Sequence, residues 1–179
     1  MSKVTVVIPT YLNTSGLQKC LESIAKYTSP DRVSLVVVAN GGDHAEINNV
    51  VDLQGFQVDV RWYSEPLGFA RACNVGVQAA KRFFNPEYVV LLNDDCVLLD
   101  QPKDQWLDLL LAPMSDPQVG ITGVQKLWDE SCKREFLIFF CAMLRMKTWD
   151  DIGGLDESLG SFGEDITACI EAEKRGWKW

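Results

Sequence analysis

The 179-residue chain contains one histidine, His44, which excludes multi-histidine metal sites and argues against a Ser-His-Asp triad. It has no Walker A sequence and no G-x-G-x-x-G, so NTPase and Rossmann dehydrogenase readings lose their main support. Positive charge is also short. Lys+Arg number 17 against 25 Asp+Glu, a net charge of −8, the wrong sign for a protein whose partner is a phosphate backbone. The longest apolar run, residues 136–144, falls well below the ~20 residues that span a bilayer, so no transmembrane segment is expected. Met1-Ser2-Lys3 leads directly into Val4 without the charged, apolar and small-residue regions of a signal peptide. The six cysteines form no C-x-x-C, and most sit in apolar or helical patterns, which points to reduced, buried thiols in a cytosolic protein rather than a disulfide framework.

With 47% hydrophobic and 23% charged residues, the chain has an ordinary globular composition. Its first half alternates buried-strand and helix patterns. Residues 4–8, 33–39 and 88–92 are short β-branched or apolar runs of the kind that lie between two layers of helices, and residues 58–62 alternate as a half-buried or edge strand. Between them, apolar spacing predicts helices beginning at Thr14, near residue 44 and at Phe69. A β-α-β-α-β-α-β order predicts an α/β fold with a mostly parallel sheet and right-handed crossovers. Ligands of such sheets bind beyond the C-terminal strand ends, where the polar loops 9–13, 39–43 and 93–95 fall.

The second half predicts a short helix over 106–111, a strand over 119–127, a polar connection over 129–134 and a strand or hairpin over 136–144. A helix from about 164 to 175 then ends at Gly176. No linker or repeat divides the halves, so residues 1–179 are expected to form one domain. Trp177-Lys178-Trp179 looks like the start of a further strand, so the second half is expected to be incomplete.

Three constellations could carry chemistry. Asn93-Asp94-Asp95 places two carboxylates at the mouth of a buried strand, an oxygen-only arrangement suited to Mg²⁺ or Mn²⁺ beside a diphosphate. Asp side chains bonding loop amides would explain it equally well. Glu164-Asp165 opens the last helix, where carboxylates are favoured by the helix dipole alone, and a carboxylate there could also act as a general base. Arg71 stands in the first turn of its helix, a disfavoured place for a cation unless it meets an anion, although a solvated arginine is the default.

Taken in order, these stretches resemble the family 2 glycosyltransferases, inverting enzymes of the GT-A fold. The carriers are Val4-Thr5-Val6-Val7-Ile8-Pro9-Thr10-Tyr11, Asn40-Gly41-Gly42, Gly68-Phe69-Ala70 with Asn74 and Gly76, Leu91-Leu92-Asn93-Asp94-Asp95, and Gly153-Gly154-Leu155-Asp156-Glu157 followed by Glu164-Asp165. The resemblance implies transfer of a sugar from a nucleoside-diphosphate sugar to the hydroxyl of a saccharide or lipid-linked acceptor, as in polysaccharide biosynthesis, with Mn²⁺ or Mg²⁺. It implies a single GT-A domain over 1–179, with 1–100 as the nucleotide-binding half and 101–179 as an incomplete acceptor-side half, and a cytoplasmic site, at most peripheral to the inner face of the membrane. Pro9, Thr10, Tyr11 and Asn40 would line the base and ribose pocket and Arg71 would approach the diphosphate. Asp95, with Asn93 in place of the first acid of the D-x-D motif, would contact the metal, and Asp94 would lie beside the ribose. Asp165 would be the catalytic base, supported by Glu164. Ala39 stands where the family places a base-recognising Asp, and Thr167 and Glu171 stand where its last helix carries Asp and Arg. Ala39 and the short C-terminus favour a rival reading, a catalytically incomplete or degenerate module that binds nucleotide weakly or not at all. A nucleotidyltransferase would need a Gly-rich, basic first loop that the chain lacks.

Overall fold

A computed structural model describes residues 3–41, 44–159 and 162–179. Gly42 and Asp43 of the second-strand loop and Gly160 and Ser161 of the loop before the last helix lie outside the described residues.

The first half follows the expected order: β1 (Val4–Thr10), α1 (Thr14–Tyr27), β2 (Val33–Asn40), α2 (His44–Val50), β3 (Gln57–Tyr63), α3 (Phe69–Phe83) and β4 (Tyr88–Leu92). β1 and β2 are buried along their whole length, because helices cover both faces of the sheet and leave no polar side to alternate with. β3 lies at the sheet edge and is only half-buried. α1 is capped by Asn13, whose Oδ1 accepts from the Gly16 amide at 3.2 Å, one residue earlier than the Thr14 start signal indicates.

The strand order is β3-β2-β1-β4-β8-β5. β1 to β4 are mutually parallel, and β8 (Cys141–Arg145) runs antiparallel to both β4 and β5 (Ile121–Gly123). Alternate residues of β1 face opposite layers. Val4, Val6 and Ile8 pack with Leu17, Leu21 and Ile24 of α1 and with Leu107 and Leu110 of α4 (Gln105–Leu111), whereas Val7 packs with Ala72, Cys73 and Val77 of α3. α3 comes unusually close to the sheet through Gly76, where a Cβ would stand 2.3 Å from Val7 Cγ1.

The second half departs from expectation in two places. The single strand read over 119–127 is β5 followed by β6 (Lys126–Asp129), which leaves the main sheet to form a separate hairpin with β7 (Arg134–Leu137). The apolar run 136–144 is correspondingly cut between β7 and β8 at residues 138–140. An all-apolar stretch has no period from which such a crossing could be read. The second departure is α5 (Met146–Ile152), a helix over residues for which no element is expected from the sequence. It is held by buried Thr148 and Trp149 and closed by Gly153 at φ +82°. α6 (Glu164–Lys174) matches expectation, and Lys178 makes one parallel bridge with Val119. All six cysteines are free thiols, with Cys20, Cys73, Cys141 and Cys169 buried.

Candidate active site

β1 is followed by neighbours on opposite sides, β2 and then β4, so the crossover direction reverses between β1 and β4. In a parallel sheet the two outgoing loops separate at such a point and leave a crevice. Here it is a cleft of about 490 Å³, large enough for a nucleotide, and its lining includes Pro9, Thr10 and Tyr11 from the end of β1. Asn40 comes from β2, Gly68 and Phe69 from the start of α3, and Asn93 and Asp94 from the end of β4. Thr10, buried at 2% exposure, donates its hydroxyl to Asp94 Oδ2 at 2.6 Å, tying the two strand ends across the switch point. Asn40, also buried, accepts the Leu67 amide on its side-chain oxygen and so holds the segment before α3 at the cleft wall. Tyr11 is exposed at the rim, and Ala39 is buried in the apolar core at 1% exposure.

β4 delivers Asn93, Asp94 and Asp95 at its C-terminal end. Asn93 Oδ1 is buried without a hydrogen-bond partner, which is costly in a folded chain unless a ligand meets it, and the Asp95 side chain is exposed. Among the described residues, no three Asp, Glu, His or Cys side chains converge to hold a cation by themselves. The orphaned carbonyl oxygen of Asn93, followed in the chain by Asp94, which lines the cleft, and by the exposed Asp95, which does not, is an oxygen-only donor set of the kind that fits a hard divalent cation taking the rest of its shell from phosphates and water.

Glu164 and Asp165 start α6 after Gly163 at φ +98°. Burial pushes both carboxyl groups above their ordinary values. For Asp165 the backbone amides of Ile166, Asp165 itself and Phe139 pull the other way, the first donating to Oδ1 at 2.7 Å. For Glu164 the charge on Asp165 adds to the rise, while its own backbone amide opposes it, and Glu164 Oε2 is buried and unpartnered. The β7–β8 connection lies between this helix end and the loop after β4: the Phe139 amide is among the groups that favour the charged form of Asp165, and the next residue, Phe140, accepts the Asn93 amide at 2.9 Å and the Cys96 thiol at 3.4 Å.

Arg71 lies on a neighbouring groove of about 330 Å³ with Asn74, Gln78, Lys81 and Glu157, and its guanidinium is 3.9 Å from a Glu157 oxygen. It is not part of the cleft lining given above. Glu171 pairs with Lys174 at 2.7 Å and with Arg175, both toward the C-terminus of α6. The sequence reading missed Asn13 and Pro66, which also line the cleft, and Phe139 and Phe140. Asn13 carries only a capping signal, and the two phenylalanines act through backbone groups that no side-chain pattern announces.

Comparison with known proteins agrees with this geometry. Residues 5–147 match the model of glycosyl transferase family 2. A curated relative, glycosyltransferase AglE of Haloferax volcanii, is 26% identical over 123 residues, which cover 67% of this chain and 38% of that protein. The mannosyltransferase PcManGT from Pyrobaculum calidifontis, solved with GDP-Man and Mn²⁺, superposes with a TM-score of 0.79 at 19% identity over 98% of this chain and 53% of that one. TarS 1-349 of S. aureus, solved with UDP, gives 0.71 at 16% identity over 95% and 55%. The chain thus spans about half the length of the solved structures it matches, and it has their α/β fold with a mostly parallel central sheet. No helix among the described residues is long and apolar enough to cross a membrane. Together, the matched family model and the shared fold make this chain a member of glycosyl transferase family 2.

Proposed function

We propose that this chain carries the donor site and the catalytic base of an inverting glycosyltransferase, moving a sugar from a nucleoside-diphosphate sugar to an acceptor hydroxyl. The observation that carries the reading is the switch-point cleft, where Asn93 Oδ1 at the end of β4 is buried without a partner, with Phe139 and Phe140 lying between that strand end and the half-buried carboxylate of Asp165. PcManGT with GDP-Man and TarS with UDP support a nucleotide diphosphate as the occupant of this cleft.

In this reading Pro9, Thr10, Tyr11 and Asn40 seat the base and ribose, and Asp94, oriented by Thr10, lies beside the ribose. Asp95 and Asn93 would hold Mn²⁺ or Mg²⁺, which when bound supplies positive charge against the leaving diphosphate. Asp165 takes the proton of the acceptor hydroxyl, and its raised pKa makes it a stronger base than a solvated carboxylate. Glu164 supports it by lining the same helix start. Attack from the face opposite the leaving group inverts the anomeric carbon in one displacement. Arg71 would have to leave Glu157 to approach the diphosphate. The acceptor is a saccharide or lipid-linked glycan, presented in the cytoplasm or at the inner face of the membrane.

Asp165→Asn tests the assignment. The variant is expected to bind donor nucleotide like the parent and to lose transfer by about 10²-fold or more; undiminished transfer defeats it. The buried Ala39 supports a second reading, a module without transfer activity, since that position offers no carboxylate to a nucleotide base. This second reading predicts nucleotide affinity that is absent or indifferent to metal.

A further inference from the structure

Asn74 lies on the second turn of α3, on the same face as Arg71. Its carboxamide is engaged by the loop that follows α5. Oδ1 accepts the Leu155 amide at 2.9 Å, while Nδ2 donates to the Leu155 carbonyl at 2.9 Å and to Glu157 Oε1 at 2.8 Å. One side chain thereby satisfies both backbone groups of one residue, as a neighbouring strand would, and those partners fix which end of the amide is which. Gly154 permits the approach: its φ is +84°, and a Cβ there would stand 2.8 Å from Asn74 Oδ1. Leu155 is buried in the apolar cluster that also contains Ala168, Cys169 and Ala172 of α6. At its other end α3 begins beside Gly68 and Phe69 of the cleft lining. A single helix thus touches the cleft at its start and, one turn later, clamps the loop that leads to Glu164 and Asp165.

We propose that Asn74 is a positioning residue for the transfer step, its clamp on Leu155 and Glu157 setting the base helix relative to the donor cleft. The inference rests on the glycosyltransferase reading above. Asn74 makes no hydrogen bond to the groups assigned to the donor, and its one link to Arg71 runs through Glu157 in an exposed 3.9 Å ion pair that contributes little, so its loss leaves donor binding intact and misplaces the base. Misplacement of about 1 Å at a reacting centre costs on the order of 10²-fold in rate.

The test compares Asn74→Asp with the double variant Asn74→Asp/Glu157→Gln. Aspartate keeps an acceptor for the Leu155 amide but removes both donated hydrogen bonds and sets a carboxylate against Glu157. In the double variant the glutamine amide can donate to that carboxylate, and the like-charge contact is gone. For Asn74→Asp we expect UDP or GDP affinity within about 2-fold of the parent and donor hydrolysis by water retained. Acceptor-dependent kcat should fall by about 10-fold to 100-fold, and amide hydrogen exchange should speed up over residues 153–159. The double variant should regain both transfer and protection. Parent-like transfer by Asn74→Asp overturns the proposal, as does a parallel fall in binding, hydrolysis and transfer, or a folded double variant no better than the single one. A parent chain that neither binds nucleotide nor transfers sugar refutes the glycosyltransferase reading instead, and the exchange data then decide the clamp by themselves.

Discussion

Thr10→Val removes one hydroxyl from the centre of the cleft while keeping side-chain volume and β-branching. The lost contact is the 2.6 Å hydrogen bond to Asp94 Oδ2, made by a residue only 2% exposed. A hydrogen bond to a charged group contributes about 1.5–3 kcal/mol. The added buried methyl offsets about 0.8 kcal/mol of that loss, leaving a net destabilisation of about 1–2 kcal/mol. For a chain of this size each kcal/mol moves Tm by about 2–4 °C, so calorimetric melting should show a fall of roughly 2–8 °C. Asp94→Asn is the control: the amide oxygen can still accept from Thr10, so its loss should be smaller. Thr10→Val should also weaken nucleotide binding, because Asp94 loses the partner that orients it. A Thr10→Val protein melting at or above the parent temperature would refute the claim that this bond ties β1 to β4.

Other substitutions probe separate parts of the account. Gly76→Ala pushes a Cβ to within 2.3 Å of Val7 Cγ1 and 3.0 Å of Val38 Cγ2. Overpacking of about 1–3 kcal/mol outweighs a helix-propensity gain of at most about 1 kcal/mol; urea melts should show net destabilisation, partly relieved by adding Val7→Ala, and parent-like stability contradicts the close approach. The Glu164 carboxyl is raised by burial, so the folded state holds its proton more tightly than the unfolded one. Its stabilising effect is complete below the unfolded value and is lost as pH rises through the raised folded value. Glu164→Gln should therefore be more stable than the parent at pH 7 and equal to it near pH 4, and a difference independent of pH counts against the burial argument. Asp165 is also raised, so transfer should increase with pH through a midpoint above the ordinary carboxylate range. A pH–rate profile flat through that region removes Asp165 from the role of base.

The first half of the fold was legible because each buried strand is a short β-branched run closed by a breaker, such as Val4 to Ile8 before Pro9 or Tyr88 to Leu92 before Asn93. Parallel order then follows from alternation with helices, and the cleft from the strand ends. The second half resisted for physical reasons. Residues 136–144 are apolar throughout, so nothing in their pattern marks where β7 ends and β8 begins, and α5 is held by Thr148 and Trp149 rather than by an amphipathic repeat. At the site, Thr10, Asn40 and Asp94 were identifiable as side chains at strand ends, and the structure brings them onto one cleft. Between that cleft and Asp165 lie backbone groups of Phe139 and Phe140, whose side chains carry no polar signal. Arg71 illustrates the opposite limit: a cation in a first helical turn invites an anion, and the anion the fold supplies is Glu157.

The central claim is that the β1–β4 cleft takes a nucleoside diphosphate together with a divalent cation held at Asp95. The direct measurement is calorimetric titration of the chain with UDP, GDP and dTDP, each with and without Mn²⁺, repeated on Asp95→Ala. The account predicts saturable binding of at least one nucleotide that requires Mn²⁺ in the parent and is lost in the variant. Failure of all three nucleotides to bind, or binding that is indifferent both to Mn²⁺ and to Asp95, contradicts it.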